Sequence, residues 1–157
     1  VPKTMPSAIT EILSGRDRPA FTQVAALCLR DGDTGTEVLL VKTLRTGGWV
    51  IPKGWPMTGK TLAQAAAIEA WEEAGAQGDI ETRPLGHFTY TKIRKSGLPV
   101  QCRAQVFRMR VTGTATDYPE ADKRTRQWEN LDKAAAKVRD PELATILRSL
   151  APAPYAG

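Results

Sequence analysis

GWPMTGKTLAQAAAIEAWEEAGA, residues 54–76, is a Gly- and Pro-rich loop that runs into an alanine-rich helix. Three glutamates, Glu69, Glu72 and Glu73, lie near the end of this helix. At about 100° per residue they share an arc of about 100° on one helix face. Like charges at these spacings repel each other. A hard cation bound between the carboxylates makes their proximity favourable. The stretch therefore predicts a metal site.

A solvated acidic face on a surface helix is the alternative interpretation of the same residues. Two features disfavour it. The acids lie at the carboxyl end of the helix, where the helix dipole opposes negative charge. The preceding residues, 62–71, are nearly all apolar, which predicts a packed helix.

Composition predicts one globular domain. The chain has 157 residues, of which 41% are hydrophobic and 25% charged, enough for a single core. We expect a lead-in over residues 1–18, one domain over 19–150 and a flexible tail over 151–157. The net charge of +5 suits an anionic partner.

Neither a membrane segment nor a disulfide is predicted. No apolar run approaches the ~20 residues of a membrane span, and no secretory leader is visible. Cys28 and Cys102 lie in apolar runs without metal-binding spacing, as reduced core thiols do. We therefore expect a cytoplasmic protein.

Alternation and turn residues predict a strand-rich chain with helices on both sides of a sheet. An α/β (α+β) sandwich with a mixed central sheet fits this order. Near Val106 and Phe107 the apolar phase of one strand changes, which predicts a β-bulge. Asn130 and Asp140 are predicted helix N-caps. We expect strands at 21–30, 37–43, 49–51, 79–83, 86–93, 99–112 and 126–129, and later helices at 131–138 and 141–150.

The spacing of Gly54, Glu69, Glu72, Glu73 and Gly75 resembles the signature box of the Nudix hydrolases. That box reads Gly, five residues, Glu, seven residues, Arg-Glu, an aliphatic residue, any residue, Glu-Glu, any residue, Gly and an aliphatic residue. The order of flanking elements is also similar, over about residues 21–150. The resemblance implies a Nudix-type α/β/α sandwich.

The resemblance also implies an activity and a set of site residues. The expected reaction is Mg²⁺-dependent hydrolysis of a pyrophosphate (phosphoanhydride) bond, with Mn²⁺ as an alternative metal. Its substrate would be a nucleoside diphosphate-linked or polyphosphorylated small molecule. The predicted catalytic residues are Glu69, Glu72 and Glu73, and the predicted metal-binding residues are these three and Gly54. Glu72 is either a third ligand or the general base, and Glu120 is a more distant candidate base.

Two positions depart from the family pattern. Lys60 stands where the family has Glu, and Ile68 stands where it has Arg. Loss of both members of a charge pair is internally consistent, because loss of one alone would leave an unpaired charge. The same departures motivate an alternative function, a non-catalytic nucleotide-binding module with the Nudix fold.

The loop at residues 52–56 looks closest to hydrolases of diphosphoinositol polyphosphates and diadenosine polyphosphates. Such substrates carry many phosphates and require several cations. Arg103 is the leading candidate, because it lies on the polar face of its strand. The predicted substrate-binding residues are Lys53, Gly54, Arg103, Arg45, Lys42 and Arg18, with the basic run 123–126 as a further candidate.

A third interpretation is an RNA 5′-end pyrophosphohydrolase. It predicts binding that weakens steeply with salt. No stripe of aromatic and basic residues supports a long RNA track, so a nucleic-acid partner is not expected. The expected partner is a small phosphoanhydride substrate, bound by a monomer or homodimer.

Overall fold

The computed structural model describes residues 21–44 and 47–151. The predicted lead-in and all but the first residue of the predicted tail lie outside these ranges. The helices are α1 (Leu62–Ala74), α2 (Leu131–Lys137) and α3 (Pro141–Leu150). The strands are β1 (Phe21–Gly32), β2 (Gly35–Lys42), β3 (Trp49–Val50), β4 (Lys53–Gly54), β5 (Ala76–Ile80), β6 (Gly86–Ile93), β7 (Pro99–Thr114) and β8 (Arg126–Asn130).

Strand β1 is the centre of an eight-stranded sheet with the main order β3-β2-β1-β7-β5. It runs parallel to β7 and antiparallel to β2 and β4. Residues 24–28 of β1 are completely buried, as expected for an apolar strand that is covered on both faces. The other pairings are antiparallel, so the sheet is mixed.

The helices cover opposite faces of this sheet. Gly54 is the cross-strand partner of Val24, and a Cβ atom at Gly54 would point into Glu69 of α1. A Cβ atom at Gly86 would point towards Ile146 of α3, and Gly86 shares its row with Val106 and Ala25. Because neighbouring residues of a strand face opposite sides, α1 and α3 lie on different faces. The predicted α/β/α sandwich is confirmed.

The predicted bulge at Val106 and Phe107 is wrong. The register between β1 and β7 is continuous through these residues. The apolar phase changes because Val106 faces the α3 side of the sheet, whereas Phe107 faces the α1 side. The register shift lies instead between β5 and β7, where Thr112 is the extra residue opposite the step from Gln77 to Gly78.

Two further local predictions differ from the structure. Strand β5 begins at Ala76, directly after α1, and ends at Ile80, whereas the sequence pattern predicted residues 79–83. Asn130 and Asp140 occupy the N-cap positions of α2 and α3, but neither side chain makes a capping hydrogen bond. Asn130 donates instead to Oγ1 of Thr34, at 3.3 Å. Within the described ranges, every helix is too short or too polar to cross a bilayer.

Candidate functional site

Helix α1 is fixed at both ends by its own sequence. At its start, Thr61 and Gln64 form a capping box, in which each side chain accepts a hydrogen bond from the other residue's backbone N–H, at 3.0 and 2.9 Å. At its end, Gly75 adopts a left-handed conformation with φ 65°. A Cβ atom there would also lie 2.5 Å from the ring of Tyr118. The acidic end of the helix is therefore held in a defined position.

Glu69 and Glu73 lie one helical turn apart and contact each other beside the β4 backbone. The charge of Glu73 lies close enough to raise the pKa of Glu69. Oε1 of Glu73 accepts a hydrogen bond from the backbone N–H of Lys53, at 3.3 Å. A Cβ atom at Gly54 would lie only 2.6 Å from Oε1 of Glu69, so only glycine allows this close approach. Strand β4, with Gly54, therefore packs directly against the two acids of α1.

Arg124 joins this pair to the loop before β8. Its guanidinium group lies 3.7 Å from Oε2 of Glu73 and donates to Oε1 of Glu120 at 2.7 Å. It also donates to the backbone carbonyl of Lys42 at 3.1 Å. The backbone N–H of Glu120 donates to the carbonyl of Glu72 at 2.9 Å, which brings this loop against the end of α1.

The carboxyl groups of Glu69 and Glu73 are costly to ionise where they lie. Burial raises the pKa of Glu69 well above its usual range, and the charges of Glu73 and Glu72 add to the effect. Burial also raises the pKa of Glu73, although the positive charge of Arg124 opposes the shift. Two close oxygen donors with raised pKa values fit a hard cation such as Mg²⁺, which commonly uses one or two carboxylates together with substrate phosphates.

The predicted set of three glutamate ligands is not assembled in this conformation. Across residues 21–44 and 47–151, no group of three or more His, Cys, Asp or Glu side chains is arranged to hold a metal ion. Glu69 and Glu73 are the two that converge. The roles of Glu72 and Gly54 as ligands stay predictions.

A cleft of about 860 Å³ opens beside the carboxylate pair. Glu69, Glu73 and Gly54 form part of its wall, with Lys53 next to them. The wall therefore combines the acids with a strongly basic surface, which suits a polyanion bound through cations. The other basic residues on this wall are Lys92, Lys95, Arg124 and Arg139.

Lys53 is the predicted substrate-binding cation that lies closest to the acids. Its ammonium nitrogen is 4.2 Å from the ring centroid of Tyr90. Burial lowers the pKa of Lys53, while the negative charges of Glu73 and Asp140 oppose this shift. Lys53 is therefore a half-buried cation between two acids at the cleft wall.

The other predicted cations occupy different places. The ammonium nitrogen of Lys42 lies 5.3 Å from the ring of Trp49, which itself lines the cleft. Arg103 is in the β7 row between Thr22 and Thr89 and is not on the cleft wall formed by the described residues. Its Nε atom is buried and has no hydrogen-bond partner among those residues. Arg18 and Arg45 lie outside the described ranges.

Neither of the two residues that depart from the family box is fully buried. Lys60 is exposed in the loop before α1, and Ile68 is half-buried on the helix. Neither position leaves a charge in the core. That the two changes compensate each other stays a prediction.

Sequence reasoning missed several residues of the site. Arg124 was one of four residues in a basic run, and nothing in the sequence distinguishes it from its neighbours. Asp140 was expected to cap α3, yet it lies on the cleft wall near Lys53. Gln23, within an apolar strand, also lines the cleft and is only 1% exposed. A buried glutamine in a central strand is a signal that could have identified it.

Comparison with known proteins agrees with this geometry. Nudix hydrolase 4 of Arabidopsis thaliana is 35% identical over 98 residues, which are 62% of this chain and 45% of that protein. Human diphosphoinositol polyphosphate phosphohydrolase NUDT4B is 33% identical over 122 residues, 75% of this chain and 63% of that protein. The chain spans about half the length of several curated relatives that it matches.

Solved structures share the fold. The crystal structure of the Caenorhabditis elegans Ap4A hydrolase superposes with a TM-score of 0.57 at 23% identity, covering 82% of this chain and 93% of that one. The family described as the NUDIX domain matches residues 21–150, from the start of β1 to the end of α3. This match contains the carboxylate pair, the loop glycine and the sheet that positions them, and it shows that the chain belongs to the NUDIX domain family.

Proposed function

We propose that this chain hydrolyses a phosphoanhydride bond in a nucleoside diphosphate-linked or polyphosphorylated small molecule, with Mg²⁺ as its cofactor. The observation that carries the proposal is the contact between Glu69 and Glu73 at the wall of a basic cleft. Family membership supports the class of reaction. The named relatives include a diphosphoinositol polyphosphate phosphohydrolase and an Ap4A hydrolase, which supports a phosphate-rich substrate.

Each part of the site has a role in this reaction. Glu69 and Glu73 would hold the cation, and Lys53 and Arg124 would bind phosphate oxygens or orient the acids. The chemistry supplied by Mg²⁺ at such a site is neutralisation of phosphate charge and activation of water. Burial beside the β4 backbone keeps both carboxylates in place before substrate arrives, which reduces the cost of reorganisation.

Glu120 is our candidate for the proton acceptor, alongside Glu72. Its carboxylate accepts a hydrogen bond from Arg124, which also contacts Glu73. The loop that carries Glu120 and the strand β4 that carries Lys53 thus both lie beside Glu73. A general base must lie within hydrogen-bond reach of the attacking water. The proximity of Glu120 to the acids that would hold the cation supports this role.

The test is release of phosphate or pyrophosphate from nucleotides, dinucleoside polyphosphates and inositol pyrophosphates, with Mg²⁺ titrated against EDTA. We expect E69Q and E73Q to lower kcat at least about 100-fold, because each removes a negatively charged metal ligand. E81Q is the matched control, since Glu81 pairs with Arg108 at an exposed position. It should leave kcat unchanged.

Hydrolysis without added metal, or wild-type rates in both E69Q and E73Q, would contradict the proposal. Recovery of an intact ligand that stabilises the protein would favour the non-catalytic nucleotide-binding module. Selective turnover of 5′-triphosphorylated RNA would favour the RNA pyrophosphohydrolase. Thermal unfolding of each variant separates loss of activity from loss of folding.

We further propose a cytoplasmic location and a monomer or homodimer. The support for the location is that Cys28 and Cys102 are both free and buried, as in proteins of reducing compartments. Fractionation of cells and light scattering of the purified protein test the two statements.

A further inference from the structure

Strands β1, β7 and β6 present a group of polar side chains on the sheet face that points away from the cleft. Gln23 of β1 and Tyr90 of β6 line the cleft. Their chain neighbours Thr22 and Thr89 share one row of the sheet with Arg103 of β7. Because neighbouring residues of a strand face opposite sides, this row points away from Gln23 and Tyr90. It therefore belongs to a different surface from the cleft wall.

The adjoining rows extend this surface. Gln105 pairs with His87 in the next row of the same face, and Gln101 lies two residues before Arg103 on β7. Their side chains are hydroxyls, amides, one imidazole and one guanidinium, without an acid. Two of the residues are exposed and the other four are half-buried. We call this set the polar patch: Thr22, His87, Thr89, Gln101, Arg103 and Gln105.

Arg103 is a cation without a counter-ion at the centre of the polar patch. None of the ion pairs within residues 21–44 and 47–151 includes it. By contrast, Arg108 and Arg110 of the same strand each pair with an acid. The Nε atom of Arg103 is also buried without a hydrogen-bond partner among those residues. Because a buried donor is normally satisfied, the unpaired guanidinium indicates an oxyanion ligand.

One acid, Glu142 of α3, lies at the rim of the polar patch. Its Oε1 atom accepts hydrogen bonds from the backbone N–H and the Oγ1 of Thr89. The charges of His87 and Arg103 act on this carboxyl group, but it forms no ion pair with either residue in the described part of the chain. Glu142 therefore leaves the guanidinium of Arg103 available to another carboxylate.

The number of cations limits the class of ligand. Nucleic acids and polyphosphates are bound by several cations, whereas the polar patch has one guanidinium and one imidazole. A single carboxylate matches the guanidinium of Arg103, and the surrounding hydroxyls and amides can bind the polar groups of a peptide. Leu85, directly before β6, adds an apolar side chain that is 37% exposed. Arginine is also enriched among the residues that dominate protein interfaces.

A second copy of this chain does not fit as the partner. In a two-fold contact the same patch meets itself, so the two guanidinium groups would approach each other. The net charge of +5 adds repulsion between two copies. The complementary partner is therefore an acidic segment of a different protein.

We propose that the polar patch is a docking surface for an acidic segment of another protein, with the Nε–H of Arg103 donating to an Asp or Glu carboxylate of that segment. Threonine and glutamine side chains of the patch bind the polar groups beside that carboxylate. The surface does not depend on the proposed reaction, because Arg103 is not on the cleft wall.

The test uses a hexaglutamate peptide, titrated into the isotope-labelled full chain and followed by NMR, which locates the binding site. We expect the largest shifts at the Nε–H of Arg103 and at the backbone amides of residues 22, 87–89 and 101–105. Hexaglutamine is the uncharged control peptide and should leave these signals in place. Shifts confined to the cleft residues Lys53, Lys95 and Arg139 would overturn the proposal.

Variants test the role of Arg103 directly. R103M should weaken hexaglutamate binding about tenfold, as loss of a charge-assisted hydrogen bond does. R103K keeps the charge without the planar fork and should restore part of the affinity. R110M is the matched control, because Arg110 is an exposed residue of the same strand that pairs with Asp79. It should change the affinity less than about twofold, and equal weakening in R103M and R110M would contradict the proposal.

Two competing ligands complete the experiment. Inorganic phosphate that shifts the polar patch as strongly as hexaglutamate would show a simple ion site, and tighter binding of a single-stranded oligonucleotide there would show a nucleic-acid surface. Either result would overturn the docking of an acidic protein segment. Thermal unfolding checks the fold of each variant, and the shifts of the wild type locate the site even if R103M unfolds.

Discussion

Arg124 is the residue on which the balance of charge at the site depends. Its side chain is 14% exposed, and those of its partners Glu73 and Glu120 are 7% and 24% exposed. Removing one partner of a buried pair leaves an uncompensated charge, which costs more than the pair itself contributes. Arg124 also donates a hydrogen bond to the Lys42 carbonyl, so its loss would remove one contact at the end of β2.

We predict that R124M lowers the free energy of unfolding by about 2–3 kcal/mol in EDTA. R108M is the matched control, since Arg108 pairs with Glu81 at 2.7 Å but both side chains are largely exposed. Surface pairs contribute about 0–1 kcal/mol, so R108M should change stability little. Urea unfolding measures both values, and equal losses would show that the Arg124 network is no stronger than a surface pair.

Helix α1 is the element that local sequence specifies most completely. Alanine favours the helix, a capping box starts it and Gly75 ends it. Its buried alanines allow close packing on β1, and this contact places Glu69 over Gly54. The acidic arc predicted from helix geometry alone therefore has two of its members, Glu69 and Glu73, at the cleft.

We predict that T61A costs about 1 kcal/mol of unfolding free energy, because the Gln64 N–H loses its partner. T61S keeps the hydroxyl and should restore most of the loss. T58A is the control, an exposed threonine in the preceding loop, and should stay within about 0.5 kcal/mol of the wild type. Urea unfolding of the three variants checks the prediction, and a T61A value equal to that of T58A would contradict it.

The predicted strand ends were accurate where turn residues flank the strand and inaccurate where tertiary contacts set its ends. Strand β6 has the predicted bounds, 86–93, because turn residues flank it on both sides. Strand β5 begins three residues early, because pairing with β7 extends it up to the end of α1. The change of phase in β7 reflects cover by helices on different faces, which periodicity alone cannot distinguish from a bulge.

At the level of the whole molecule, Glu142 connects α3 to β6. Its Oε1 atom accepts hydrogen bonds from the Oγ1 and the backbone N–H of Thr89, at 2.5 and 2.7 Å. These bonds hold the pKa of Glu142 below its ordinary value, with the hydroxyl bond as the larger cause. They join residues that are 53 positions apart.

We predict a pH-dependent contribution from this contact. Because the folded-state pKa of Glu142 is lowered, the contact stabilises the protein above the unfolded-state pKa, and this stability is lost as pH falls through the folded-state value. E142Q keeps an acceptor oxygen and removes the charge. The wild type should exceed E142Q in stability at pH 7 by less than about 1 kcal/mol. This difference should shrink as the pH falls below the ordinary glutamate pKa of about 4.3, and it should vanish below the lowered folded-state pKa.

Thermal unfolding between pH 3 and 7 checks this prediction, with D132N as the control for net charge at an exposed first-turn position of α2. A difference between wild type and E142Q that grows as pH falls would contradict the stated sign.

The sequence by itself determined the helix α1, the arc of glutamates, the succession of strands and helices along the chain and the resemblance to the Nudix box. Each of these depends on residues within a few turns or on fixed spacing, so local geometry is sufficient. Only the tertiary structure decided that Arg124, Asp140 and Gln23 lie on the cleft wall with Glu69 and Glu73. Those residues are far apart in the chain, and their meeting depends on the parallel pairing of β1 with β7 and on the packing of α1 and α3 against opposite sheet faces.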